Sequence, residues 1–202
     1  SDSHKLVRYK RNDVKTETEA SLILPRKPAG LLKTLLPKDE TAVEILIDKK
    51  NAQIRFSTIT LICRLIEGTY PNFEGIIPIG QPFKLQVDKN SLQSVLKRVS
   101  LYSNPAVQLI KLDLAATEMK VSAQDLDFSI SAHERINCTY EGDDMAIGFK
   151  AVFLIEVLSN LNGHETLIEL SEPSRAVLLS PLTKENDYED ILMLLMPISV
   201  EG

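Results

Sequence analysis

The chain has 202 residues, 44% of them hydrophobic and 25% charged, and a formal net charge of −5 at pH 7. That length allows one or two domains with a sizeable core. The acidic balance, taken alone, argues mildly against nucleic acid and anionic membranes as partners, and no apolar run approaches the about 18 residues of a membrane span.

Residues 1–20 read as the tail of an incomplete unit. The first element is a short apolar strand, Ser21-Leu22-Ile23-Leu24. Pro25 to Pro28 then lead into a helix from about Pro28 to Leu36, because proline is tolerated in a first turn where its missing N–H has no partner. Leu31, Leu32, Leu35 and Leu36 give that helix one apolar stripe. Alternating strands are expected over Ala42 to Ile47, Ala52 to Thr58 and Thr60 to Ile66, with Asp48-Lys49-Lys50-Asn51 as a polar turn.

The same order returns twice. A strand at Phe83 to Val87 runs into a helix capped by Asp88 or Asn90, with Leu92, Val95, Leu96 and Val99 on its buried face. Val107 to Ala115, Glu118 to Ala123 and Leu126 to Ile136 follow as strands. A strand at Met145 to Phe149 then opens a third copy. Its helix spans about Ala151 to Leu161, with Leu154, Val157, Leu158 and Leu161 inward and Gly163 at its C-terminal cap. Strands at 165–171, 175–180 and 188–196 complete it. The opening strands begin at residues 21, 83 and 145, a constant spacing of 62. Such a period, built of mixed elements, indicates duplicated half-domains. Copies two and three make one complete unit, with Ile76 to Pro82 as the connector before it. Helices alternating with runs of three strands imply an α+β fold of antiparallel sheets covered on one face by helices.

Motifs for bond chemistry are sparse. There is no GxGxxG, Walker loop, GxSxG or HExxH. His4, His133 and His164 lie far apart and read as surface or hydrogen-bonded residues. Cys63 and Cys138 read as buried thiols in a reducing cytoplasm. Glu141, Asp143 and Asp144 form one acidic cluster, and Glu185, Asp187, Glu189 and Asp190 a second. Carboxylates attract hard cations, so a metal-dependent enzyme of unknown substrate is the alternative reading. Neither cluster has calcium-loop spacing, and solvated loop charge explains both.

Three features favour binding. Basic residues gather on two helices: Arg26, Lys27 and Lys33 on the first, Lys89, Lys97 and Arg98 on the second. Such a strip contacts phosphates without reading bases. The run Ile191 to Ile198 is unbroken and apolar near the C-terminus, and its methionines suit re-packing around varied partners. Finally, Thr69-Tyr70-Pro71-Asn72-Phe73 interrupts a strand region with aromatics around a proline.

With these segments in order, the chain resembles the bacterial DNA polymerase III beta subunit, the replication sliding clamp. Ser1 to Leu6 is similar to the family's Thr-Asp-Gly-His-Arg-Leu, and Leu24 to Lys27 to its Val-Pro-Arg-Lys. Arg64 to Phe73 resembles its Lys-Leu-apolar-Asp/Glu-Gly-x-Phe/Tyr-Pro-Asp/Asn-Tyr/Phe motif. Ile147 to Lys150 resembles Ile-Gly-Phe-Asn, and Leu195 to Ile198 resembles Val-Met-Pro-Met.

The resemblance implies the DNA-clamp fold, with sheets outside and helices lining a ring of two subunits. Residues 1–77 would be the latter half of clamp domain two and 78–202 all of domain three. It implies no enzyme activity, no cofactor, no metal and no membrane, and a cytoplasmic place at the nucleoid. It implies double-stranded DNA as a partner without sequence preference, lined by Arg26, Lys27, Lys33, Lys89, Lys97 and Arg98. The polymerase III catalytic subunit, the clamp loader and repair polymerases would dock by short linear motifs. Their groove, carried over by motif, is His4, Lys5, Leu6, Pro71, Gly75, Ile76, Lys150, Phe153, Ser174, Ala176, Leu194, Met196, Pro197 and Ile198. Leu6, Ile76, Leu194 and Met196 would form its apolar pocket. Ser3 stands where the family has glycine, Lys5 where it has arginine, Gly75 where many relatives have arginine, and Ile198 where it has methionine. Ser174 and Ala176 replace other small residues. Without the first domain the chain is expected to close no ring and to be a monomer or a non-native oligomer.

Overall fold

Alternation, capping and turn chemistry divide the chain into thirteen strands and three α-helices among the described residues, 1–15 and 19–200 of a computed structural model. In order they are β1 (Lys5–Arg11), α1 (Arg26–Leu35), β2 (Glu44–Ile47), β3 (Asn51–Phe56), β4 (Ile59–Arg64), β5 (Phe83–Asp88) and α2 (Lys89–Val99). Then follow β6 (Leu109–Leu114), β7 (Glu118–Asp125), β8 (Ile130–Asn137), β9 (Thr139–Glu141), β10 (Met145–Lys150), α3 (Ala151–Ser159), β11 (Glu165–Leu170), β12 (Val177–Pro181) and β13 (Glu189–Leu195). Single 3-10 turns sit at Glu74–Ile76 and Ser100–Tyr102. The chain divides into two compact units, residues 1–15 with 73–202, and residues 16–72.

In the larger unit the second and third repeats are built into each other. One sheet runs β1-β13-β12-β11-β5-β9, so β5, which opens the second repeat, pairs with β11 of the third. The other runs β10-β6-β7-β8, so β10, which opens the third repeat, pairs with β6 of the second. All pairings are antiparallel. The α2 face Leu92, Val95, Leu96 and Val99 and the α3 face Ala151, Leu154, Val157 and Leu158 fill one core with the inner rows of both sheets. Asp88 caps α2, its carboxylate accepting from the Ser91 N–H at 2.7 Å. Those hydrogen bonds to Ser91 hold the Asp88 carboxyl below its ordinary range.

The smaller unit holds α1 and the sheet β2-β3-β4. Ala52, Ile54, Phe56, Cys63 and Leu65 form its cluster, with Leu24, Leu32 and Leu61 against it. Two expectations change here. Residues 21–24 form no strand; among the described residues a backbone bond from the Ile66 N–H to the Ile23 carbonyl at 3.0 Å and the packing of Leu24 on the cluster tie them down. In the larger unit each opening strand enters the sheet of the other repeat, whereas this unit's one sheet comes from its own repeat. The α1 stripe is also largely unburied: Leu31, Leu35 and Leu36 are exposed, and Leu32 alone packs on the cluster.

Other differences are local. The helices run 26–35 and 151–159 rather than 28–36 and 151–161. Residues 126–129 turn instead of extending, since Ser129 takes φ +53° and its N–H reaches the Leu126 carbonyl. β1 and β9 are strands that the sequence pattern does not predict. β1 is an edge strand whose partner lies at the far end of the sequence, with Lys5 opposite Leu195 and Arg11 opposite Glu189.

Candidate functional site: an apolar groove and two basic helices

Period-2 alternation puts Leu6 of β1, Leu194 of β13 and Leu178 of β12 in one row across three adjacent strands, Leu6 opposite Leu194 and Leu194 opposite Leu178. All three are buried, and Phe73, Ile77, Ala176 and Leu192 pack on them. This row lies on the sheet face turned away from the main core, whose row on the same strands is Met193, Leu195, Val177 and Leu179. Met196 (38% exposed) and Ile76 (57% exposed) stand outside the buried row with accessible apolar surface. Gly75 lies in the same 3-10 turn as Ile76, and Ser174 in the exposed turn before Ala176. The Ala176 carbonyl accepts from Gln81 Nε2 at 2.8 Å.

A polar and aromatic wall stands beside it. The His4 ring meets Phe153 at 5.5 Å between centroids. Lys5 Nζ sits 4.3 Å and Lys150 Nζ 5.2 Å from the Phe153 ring centre, where the negative face of an aromatic ring favours a cation. Lys5 Nζ also bonds Asp2 Oδ2 and lies 3.2 Å from Glu156 Oε2. The Lys5 bond, followed by the backbone N–H groups of His4 and Lys5, pulls the Asp2 carboxyl down to about 2. Ser3, at φ +72°, makes the left-handed bend that lets Asp2 fold back on this segment.

The segment Met196–Ile198 spans two sheets. The Met196 N–H donates to the His4 carbonyl at 2.8 Å, and the Ile198 N–H to the Gly148 carbonyl of β10 at 2.8 Å. Of the groove residues expected from sequence, all but Pro71 lie in the larger unit; Pro71 belongs to the smaller one. Asp2, Phe73, Ile77, Glu156, Leu178 and Leu192 join the site without having been named as groove residues, although Asp2 and Phe73 lie in segments that carry the family motifs. Leu192 shares the alternation of Leu194 within β13 and was discoverable from it; Leu178, on another strand, and Glu156, on α3, leave no such signal. Such a site can take a few apolar side chains of an extended peptide, with the wall offering polar contacts.

The basic residues divide by their partners. Arg26, Lys27 and Lys33 on α1 and Lys97 on α2 are exposed and enter no ion pair among the described residues. Arg98 instead forks onto Glu134 of β8, with Nε to Oε1 at 2.8 Å and Nη2 to Oε2 at 2.7 Å. Lys89 Nζ donates to the Leu161 carbonyl at 2.8 Å, beyond the C-terminal end of α3. The fold thus brings an acid from β8, Glu134, onto the basic face of α2.

Among the described residues, no group of three or more His, Cys, Asp or Glu is placed to hold a metal ion. The second acidic cluster is drawn into pairs: Asp190 with Arg8 at 2.8 Å and Lys184 at 3.3 Å, Glu189 with Tyr9 at 3.0 Å. Burial pushes the Cys138 thiol up. No helix among the described residues is long and apolar enough to cross a membrane.

Comparison with known proteins gives consistent matches. The family model for the C-terminal domain of the DNA polymerase III beta subunit matches residues 74–198, and the model for its central domain matches residues 1–72. The chain is 27% identical over 199 residues to the beta sliding clamp of Pseudomonas putida, covering 98% of this chain and 53% of the relative. It is 26% identical over 196 residues to that of Lactococcus lactis, covering 95% and 51%. The chain thus spans about half the length of the curated relatives it matches. The solved sliding clamp of Pseudomonas aeruginosa bound to griselimycin superposes with a TM-score of 0.89 at 23% identity, over 99% of this chain and 53% of that one, which shows the fold. The Bartonella birtlesii clamp bound to griselimycin gives 0.86 at 26% identity, over 99% and 53%.

Proposed function

This chain belongs to the DNA polymerase III beta subunit family, and we propose that it is the part of a sliding clamp that holds partners by a short peptide and contributes to a DNA-lining surface. Residues 1–77 are read as the latter half of clamp domain two and 78–202 as domain three. The protein does no bond chemistry. It acts as a processivity factor in the cytoplasm, at the nucleoid, tethering the polymerase III catalytic subunit, the clamp loader and repair polymerases.

The observation that carries this reading is the buried row Leu6, Leu194 and Leu178, flanked by accessible Met196 and Ile76 and by the Phe153 wall. A few apolar anchors with little buried polar contact give modest affinity, which lets partners exchange. The reading on DNA rests on Arg26, Lys27, Lys33 and Lys97, exposed on helices and in no ion pair among the described residues. Duplex is retained by encirclement, so weak phosphate contacts that permit sliding suffice. Ring closure in the longer protein is read at β8, a sheet edge beside exposed Leu101, Tyr102, Leu126 and Phe128. The chain as given spans about half the length of its curated relatives and is read as a monomer in solution.

Amide chemical-shift mapping with a Gln-Leu-x-Leu-Phe peptide tests the groove. Shifts should concentrate on residues 4–6, 75–77, 174–178 and 194–198. Shifts centred on the 182–190 loop or on β8 would place the peptide elsewhere and refute the reading.

A further inference from the structure

We propose that Gly148 is a positioning residue for the groove: because it carries no side chain, the segment Met196–Ile198 can lie against β10, and this fixes the wall that a partner peptide meets. The inference rests on the groove reading above.

Gly148 is buried in the middle of β10, opposite Lys111 of β6. On its other side β10 makes a single antiparallel bridge to Ile198, whose N–H donates to the Gly148 carbonyl at 2.8 Å. The Met196 N–H is held by the His4 carbonyl at the same distance. Pro197, between the two bonds, has no N–H and a fixed φ. Three successive candidate groove residues are thus strung between the two sheets by two hydrogen bonds and a stiff link.

The closeness of this bridge is what requires glycine. A Cβ on Gly148 would lie 2.7 Å from the Ile198 carbonyl oxygen, 2.7 Å from Val200 Cγ1 and 2.9 Å from Leu109 Cδ1, where ordinary contact begins at 3.4 Å. Val200 and Leu109 can rotate away. The Ile198 oxygen is backbone and yields only if the segment moves. Gly148 does not adopt a left-handed φ, so alanine there adds bulk without backbone strain. The single methyl therefore acts through the segment, shifting Pro197 and Ile198 and loosening Met196.

The test uses Gly148→Ala in the full chain, read by amide exchange and by titration with a labelled Gln-Leu-x-Leu-Phe peptide. Peptide affinity should fall about tenfold, the order expected when a supporting contact leaves a site loose by a fraction of an ångström. The Ile198 and Met196 amides should exchange faster while those of α2 and α3 keep their protection, a pattern that general destabilisation would not give. Affinity within about twofold of the parent would overturn the proposal. If Gly148→Ala does not fold, Ile198→Pro compared with Ile198→Ala removes the bridging N–H, with φ at 198 fixed and Pro197 held extended, and so breaks the bridge to β10. The proline variant must then bind more weakly than the alanine variant, and equal binding would overturn the proposal. A folded parent chain that does not bind the peptide would instead defeat the groove reading, and this inference with it.

Discussion

Replacing Leu6 by alanine should detach β1 without melting the molecule. Leu6 is the only buried residue of that strand, at 4% exposure, and it packs in the small row with Leu178 and Leu194, apart from the main core. The remaining ties of β1 are its ladder to β13, the contacts of Lys5 with Glu156 and the Phe153 ring, that of Arg11 with the Tyr188 ring, and the pairs Arg8–Asp190, Tyr9–Glu189 and Arg11–Glu189, none of these pairs fully buried. Surface pairs of this kind contribute about 0–1 kcal/mol each. A Leu→Ala change at a buried site costs about 2–5 kcal/mol, and a thinly covered edge row belongs near the low end, about 2–3 kcal/mol. At about 1.4 kcal/mol per factor of ten, the amides of β1 should lose about 30- to 150-fold in exchange protection. Those of α2, α3 and β11 should hold. A loss spread evenly over both helices, or none at β1, would refute the claim that Leu6 is the main apolar anchor of the strand.

Further expectations concern charge and backbone. Asp2 is depressed from 3.8 to about 2 by its Lys5 bond, so its contribution is present above 3.8 and is lost as pH falls through about 2. The turn at residues 2–5 should therefore loosen across that window by amide exchange, and Asp2→Asn should remove the step. Ser3→Gly should stabilise the lead-in to β1 by about 0.5–1 kcal/mol, since Ser3 sits at φ +72°, and Ser3→Val should do the reverse. Unchanged β1 exchange in both variants would count against strain there. Glu134→Gln should alter stability by less than about 0.5 kcal/mol but free Arg98, raising the salt dependence of weak duplex binding by about one phosphate contact. An identical salt slope would remove Arg98 from the DNA-lining set. In a full-length clamp bearing these residues, Arg26→Glu with Lys27→Glu should lower clamp-dependent synthesis; untouched synthesis would favour a scaffold with no DNA role.

Local pattern revealed most of the larger unit. The helix faces of α2 and α3 were legible because each apolar stripe recurs at helical spacing and both are packed from two sides. The equal spacing of the opening strands was legible too, but not that β5 and β10 would exchange sheets, since pairing partners leave no trace in a strand's own residues. β1 was hidden because Lys5, Arg8, Lys10 and Arg11 mask Leu6, and its partner lies almost the whole chain away. Residues 21–24 have the composition of a strand but no sheet from another repeat to join. Within the candidate groove, Leu6, Leu194 and Met196 were expected from the family resemblance. Leu178, Glu156 and the need for glycine at 148 depend on distances that only the folded chain sets.

The most direct test of the peptide-holding function is a fluorescence-polarisation titration of this chain with a labelled Gln-Leu-x-Leu-Phe peptide, beside a Met196→Ala, Ile76→Ala double variant. Both residues expose apolar surface at the groove, 38% and 57%, so their truncation should leave the fold intact. Saturable binding with a Kd on the order of micromolar, lost in the double variant, is the expected result. Equal binding by parent and variant, or none by a folded parent, would contradict the groove assignment.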